Sequence, residues 1–119
     1  MSMKSLLIIS RQPPSQHAAR EALDVALAAA AFDVPVGLLF MDDGVLQLRQ
    51  GQDAPAIGLK SLAANLQALP VFGVEDIMVC DHSLAERGMR AQPLLLPVRR
   101  VDASEIAVLL EHYQRIITL

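Results

Sequence analysis

Short apolar runs alternate along this chain with segments whose apolar residues recur at helical spacing. Lys4 to Ile9 (KSLLII) is a continuous apolar run, the pattern of a strand covered on both faces. The polar stretch SRQPPSQ ends it, because Pro13-Pro14 cannot continue strand pairing. Ser15 is the expected N-cap of a long helix reaching about Phe32. Within it Leu23, Ala26, Leu27 and Ala30 fall on one stripe and face the sheet. Val34 to Met41 (VPVGLLFM) reads as a second buried strand, which closes a right-handed βαβ unit.

Asp42 to Asp53 (DDGVLQLRQGQD) is a loop or short-helix excursion punctuated by Gly44 and Gly51. A second helix is expected from about Pro55 to Leu69, with Leu59, Leu62, Ala63 and Leu66 on one face, and Pro70 and Gly73 close it. Asp76 to Cys80 (DIMVC) is the third strand. A short helix from about His82 to Arg87 follows, with Asp81 as N-cap and Gly88 as the glycine just past its end. Leu94 to Val98, flanked by prolines, reads as an edge-like fourth strand. Asp102 and Glu105 fit a capping box for a helix through about Glu111, with Ser104 as the alternative cap. Ile106, Leu109, Leu110 and Tyr113 form its expected buried stripe, and Arg115 to Leu119 is the closing strand. Strands alternating with helices in this way specify a three-layer α/β/α sandwich around a mainly parallel sheet of about five strands. One domain over residues 1–119 accounts for every element.

Composition adds an expectation of assembly. Apolar residues make up 53% of the chain before glycine is counted, and mean hydropathy is +0.38. Small domains have too much surface for their volume to hide that content internally, so the excess is expected at a subunit interface. Much of it is alanine, which favours helix and is only weakly hydrophobic. A formal net charge of -3, scattered arginines, one tyrosine and no tryptophan leave neither a basic footprint nor a stacking platform for nucleic acid. No apolar stretch approaches the ~20 residues that span a bilayer. The start, Met1 to Ser10, lacks the apolar length of an export signal, and a single cysteine fits a reducing compartment, so the expected location is the cytoplasm.

Candidate chemistry concentrates at the carboxyl ends of the strands, where open parallel sheets collect ligands. The loop from Ser10 to Ser15 has no glycine and therefore no dinucleotide or phosphate-loop fingerprint, so no cofactor is implied. Cys80 is the sharpest residue. It ends a strand and precedes a helix, a setting that favours the thiolate needed to attack a persulfide. Against this, a cysteine closing an apolar strand is more often a small buried hydrophobe, and Asp81 beside it opposes a second negative charge. His82 lies close by, but two ligands do not make a zinc site, and His17 and His112 sit on helices. Asp42-Asp43 could bind a metal, although such pairs more often set turn geometry. No metal site is expected.

Two stretches carry a resemblance. FMDDGVLQLRQGQD resembles the F-x-x-D-G-V-x-Q-L-x-x-G-Q pattern of the TusC/DsrF subunits within the DsrE/DsrF-like family, and MVCDHSLAERGM is similar to the corresponding cysteine segment. The remaining elements fit as well, so the likeness spans essentially the whole chain. It implies a heterohexamer with TusB-like and TusD-like subunits that relays persulfide sulfur from TusA toward TusE for 2-thiolation of the wobble uridine in tRNA. It also implies that the indispensable sulfur-carrying cysteine lies on the TusD-like subunit, while Cys80 occupies the matching position here. A role chiefly in completing the assembly follows. The alternatives are a sulfur-accepting subunit using Cys80, a DsrF-like subunit in sulfur oxidation, and a small-molecule-binding module of flavodoxin-like shape.

Overall fold

A computed structural model describes residues 4–51 and 59–119. Its elements are β1 (Leu6–Ser10), α1 (His17–Ala31), β2 (Val36–Phe40), a 3₁₀ helix (Asp42–Leu48), α2 (Leu59–Gln67), β3 (Asp76–Cys80), α3 (Asp81–Glu86), β4 (Arg99–Val101), α4 (Ala103–His112) and β5 (Arg115–Thr118). The five strands form one parallel sheet in the order β4-β3-β2-β1-β5. This order differs from the flavodoxin-like one.

Handedness explains the layers. Steps from β1 through β2 and β3 to β4 all run in one direction, so right-handed crossovers place α1, α2 and α3 on the same face. The chain then returns across the whole sheet to β5, and the reversed direction puts α4 on the opposite face. The two cores reflect this division. Ile8, Leu38, Phe40 and Val79 pack with Leu23, Leu62, Leu66 and Leu84 on the three-helix side. Leu7, Ile9, Leu39, Met78 and Val101 pack with Leu109 and Tyr113 under α4. β1 and β2 are buried at every position because they are central and covered on both faces, hence their unbroken apolar runs.

Several expectations need correction. Ser15 does not cap α1: a turn closed by the Gln16 N–H donating to the Pro13 carbonyl (3.0 Å) carries the chain onward, and extended Gln16 holds the cap position without a side-chain bond. Asp81 is the first residue of α3, and Cys80 itself is the N-cap. Leu94–Val98 is not the fourth strand. Its prolines lack the donors a ladder needs, so it forms only an isolated bridge from Leu94 to Arg49 and a bond from the Leu95 N–H to the Leu48 carbonyl (2.7 Å), while pairing begins at Arg99. Leu110, assigned to the buried stripe of α4, is exposed. The expected helix start near Pro55, and the side chain of Leu59, lie outside the described residues.

The capping box is present as read. Asp102 accepts from the Glu105 N–H at 2.8 Å, and the Glu105 carboxylate accepts from the Asp102 N–H at 3.1 Å. Gly88 closes α3 in the left-handed region (φ 66°), where Met89 N–H reaches the Leu84 carbonyl and Gly88 N–H the Ala85 carbonyl. Among the described residues no helix is long and apolar enough to cross a membrane.

Candidate functional site

Strand order gives Cys80 a particular place. β3 and β4 are neighbours, and Cys80 pairs in register with Val101, the last residue of β4. From this one point α3 departs toward the three-helix face and α4 toward the other. Adjacent strands whose connections diverge to opposite faces leave a crevice at their carboxyl ends, the usual ligand position in open α/β sheets. Strand alternation sets the direction of the thiol: Ile77 and Val79 point into the three-helix core and Met78 toward α4, so Cys80 shares the α4 side with Met78 and Val101. Cys80 is 6% exposed. Its side chain makes no capping bond to α3, so the sulfur is not engaged in holding that helix.

The charge beside it is balanced. Asp81 forms an ion pair with Arg90 at 2.8 Å, so the carboxylate next to Cys80 has a cationic partner of its own. The Arg90 carbonyl in turn accepts from Arg100 on β4, tying the loop after α3 to the edge strand. Asp102, the residue after β4, has its pKa lowered, first by the backbone N–H of Glu105 and then by the Ser104 hydroxyl.

The acidic pair after β2 has a structural role. Asp42, in the left-handed region at φ 51°, is held by Arg11 at 2.6 Å and donates its N–H to the Ser83 hydroxyl at 2.9 Å. Asp43 instead meets Arg87 at 3.0 Å. The two carboxylates therefore turn to different arginines and do not converge on one point. Among the described residues, no group of three or more His, Cys, Asp or Glu side chains could hold a metal ion. His17 and His82 each pair with a glutamate one helical turn on, Glu21 and Glu86.

Four residues to which sequence reasoning gave no site role, Gln47, Arg87, Ser83 and Gly44, complete this end of the sheet. Gln47 is 2% exposed, and its amide nitrogen donates to the Ser10 hydroxyl and the Gln12 carbonyl, both at 2.8 Å. Arg87 also donates to the Ser83 carbonyl at 3.2 Å, so Ser83 is bound from both main chain and side chain. Gly44 lies so close to β1 that a Cβ there would meet the Ser10 carbonyl oxygen at 1.9 Å. The D-G-V-x-Q-L signature is thus a clamp joining the ends of β1 and β2 to α3, the helix that starts at Cys80. The spacing of its glycine and glutamine was the available signal.

The sequence profile of the DsrE/DsrF-like family matches residues 3–119. The chain is 54% identical over 117 residues to a protein named TusC homolog of Pseudomonas aeruginosa, covering 98% of each. It is 39% identical over 94 residues to the intracellular sulfur oxidation protein DsrF of Allochromatium vinosum, covering 78% of this chain and 69% of that one. The crystal structure of the ychN protein from E. coli superposes with a TM-score of 0.85 at 20% identity, over 98% of this chain and 100% of that one, a likeness of fold alone.

Proposed function

Since the chain belongs to the DsrE/DsrF-like family, we propose that it is a TusC-type subunit of a sulfur-relay complex, acting mainly to complete and support the assembly. In this reading residues 1–119 act as one domain that joins TusB-like and TusD-like subunits in a cytoplasmic heterohexamer. The complex passes persulfide sulfur from a TusA-like donor to a TusE-like acceptor for 2-thiolation of the wobble uridine in tRNA, without direct contact between this chain and nucleic acid. The observation that carries the supporting role is the burial of Cys80, since a sulfur donor must reach the thiol it modifies. Large apolar residues left in solvent, Phe32, Val71, Phe72 and Val108 among them, support the assembly.

Native mass spectrometry after co-expression with the TusB-like and TusD-like chains of the same genome tests this. A mixed complex containing all three is expected. A stable lone monomer that ignores both partners overturns it.

The second reading makes Cys80 a sulfur acceptor, and its place at the diverging ends of β3 and β4 favours it. The Cys80 thiolate would attack the terminal sulfur of the donor persulfide. The donor S–S bond breaks as the new one forms and the donor leaves as a thiolate, so no outside oxidant or reductant enters. Incubation with a persulfide donor then adds one sulfur to Cys80, and Cys80→Ser stops relay. Unchanged relay in that variant rules this reading out. Similarity to DsrF supports a third, a subunit in sulfur oxidation, to be separated by whether deletion abolishes thiolated tRNA.

A further inference from the structure

Strand order sorts the charges at the amino ends of the strands. Lys4 precedes β1 and Arg115 opens β5, so both cations lie on the β1–β5 half of that end. Asp33 precedes β2 and Glu75 precedes β3, which puts two carboxylates on the other half. All four residues are exposed, and none of them forms an ion pair with a described residue. α2 has no basic residue in its last turn, so the negative end of its dipole adds to the acidic half. Arg99, at the start of β4, pairs with Glu105 at 3.6 Å.

Shape is divided in the same way. After α2, the turn over residues 70–73 presents Val71, 85% exposed, and Phe72, 56% exposed, on the β2–β3 half. The turn is held to its helix, because the Val71 and Phe72 N–H groups both donate to the Ala68 carbonyl, at 3.0 and 3.3 Å. On the other half a groove of about 630 Å³ runs between β5 and the end of α1, walled by Leu6, Ala29, Val34 and Ile117, with Lys4 and Arg115 at its border. Ile117 pairs with Ile8, so this groove opens on the three-helix face, the face that α2 and its turn also occupy. An apolar projection and an apolar recess thus share one face and one end of the molecule. Carboxylates edge the first and cations the second.

We propose that two copies of this chain pair end to end about a two-fold axis, each seating its Val71–Phe72 turn in the groove of the other. An axis along the sheet normal, passing between β1 and β2 at their amino ends, keeps the three-helix faces of both copies on one side and reverses the strand order across the joint. With the order β4-β3-β2-β1-β5, β2 of one copy then stands opposite β1 of the other, and β3 opposite β5. Asp33 accordingly meets Lys4 of the second copy and Glu75 meets its Arg115, while the turn before β3 meets the groove beside β5. Each contact is made twice. Phe32, 72% exposed at the end of α1, lies nearest the axis and meets its own equivalent. An axis through β2 or through β1 would instead set Asp33 or Lys4 against its own copy, so charge selects the gap between them. The match of charge and shape is internal to one chain, which is the reason for assigning a second copy as the occupant.

Sedimentation equilibrium of the full chain tests this, with a dimer expected at concentrations up to about 100 µM. Glu75→Arg and Arg115→Glu each weaken self-association by at least about tenfold, with an unchanged far-UV spectrum, because both copies carry the change. Mixing the two variants restores the dimer. The two altered positions then face each other, and so do the unaltered Arg115 of one variant and Glu75 of the other. Phe72→Ser weakens the dimer as well, and mixing it with either charge variant restores nothing. A chain that stays monomeric over that range, a dimer that tolerates the single reversals, or one that mixing fails to restore overturns the proposal. The functional reading stands apart from this outcome: a monomer that still joins TusB-like and TusD-like chains overturns the dimer alone.

Discussion

Gly44→Ala tests whether the clamp at the carboxyl end of the sheet is as tight as the structure shows. A methyl group there would sit 1.9 Å from the Ser10 carbonyl oxygen and 2.7 Å from its carbon, where real contacts essentially never fall below 3.0 Å. The obstructing atoms are backbone, so no rotamer change relieves them and the segments must separate by about 1 Å. That oxygen already accepts the Met41 N–H at 3.1 Å, and the adjoining Ser10 hydroxyl accepts from buried Gln47 at 2.8 Å. Overpacking of this kind costs about 1–3 kcal/mol, and disrupting the buried hydrogen bonds adds about 1–3 kcal/mol. A total near 3–5 kcal/mol is a large share of the ~5–15 kcal/mol typical of a domain. Gly51→Ala is the control, because Gly51 has φ 73° with nothing within 4 Å. Its cost is only the backbone strain, about 1 kcal/mol. Urea denaturation should move the midpoint for Gly44→Ala by about 2 M, taking a slope near 2 kcal/mol per M, and much less for Gly51→Ala. Equal shifts for the two variants, or a loss at Gly44 below about 1 kcal/mol, would refute the close-approach argument.

Tyr113 gives the fold an alkaline limit. Burial first, then the charge of Asp76 with a hydroxyl contact at 3.4 Å, push its pKa up to about 12, while Arg99 acts the other way. A raised folded-state pKa means that stability is full below the ordinary tyrosine value near 10 and is lost as pH rises toward about 12. Discounted for partial solvent access, the loss is about 1–2 kcal/mol, and Tyr113→Phe should flatten the melting-temperature profile over that window. Asp102→Asn should remove an acid-side dependence. Its lowered pKa stabilises the fold above the usual aspartate range and ceases to do so as pH falls through its depressed value, a difference visible in acid titrations of the two proteins. Cys80 should react with iodoacetamide far more slowly in the native free chain than in urea; equal rates would contradict its burial and weaken the case for a supporting role.

Legibility varied with how local each cause was. β1, β2 and β3 could be read because central strands covered on both faces leave continuous apolar runs, KSLLII, VPVGLLFM and DIMVC. Of the two edge strands, β5 was read at Arg115 to Leu119 but β4 was not. Leu94–Val98 is apolar because it packs near Leu48, whereas the true β4 is RRV, held in the sheet by its neighbour's backbone. Ser15 misled because capping preference competes with the turn chemistry of two prolines. Gln47 looked like a loop residue, and its burial depends on Ser10 and Gln12, more than thirty positions away.

The sequence by itself determined the α/β alternation, the Asp102–Glu105 capping box, the glycine that ends α3 and the family signature after β2, all of which rest on neighbours a few residues apart. It also placed Cys80 between a strand and a helix. Tertiary structure alone decided what that place is. Strand order sets Cys80 beside Val101 where α3 and α4 part, the pleat turns it toward α4, and Arg90 balances its acidic neighbour. It alone likewise left β5 as an outer strand, since which strand lies outermost follows from the direction of the final crossover and not from the composition of the strand.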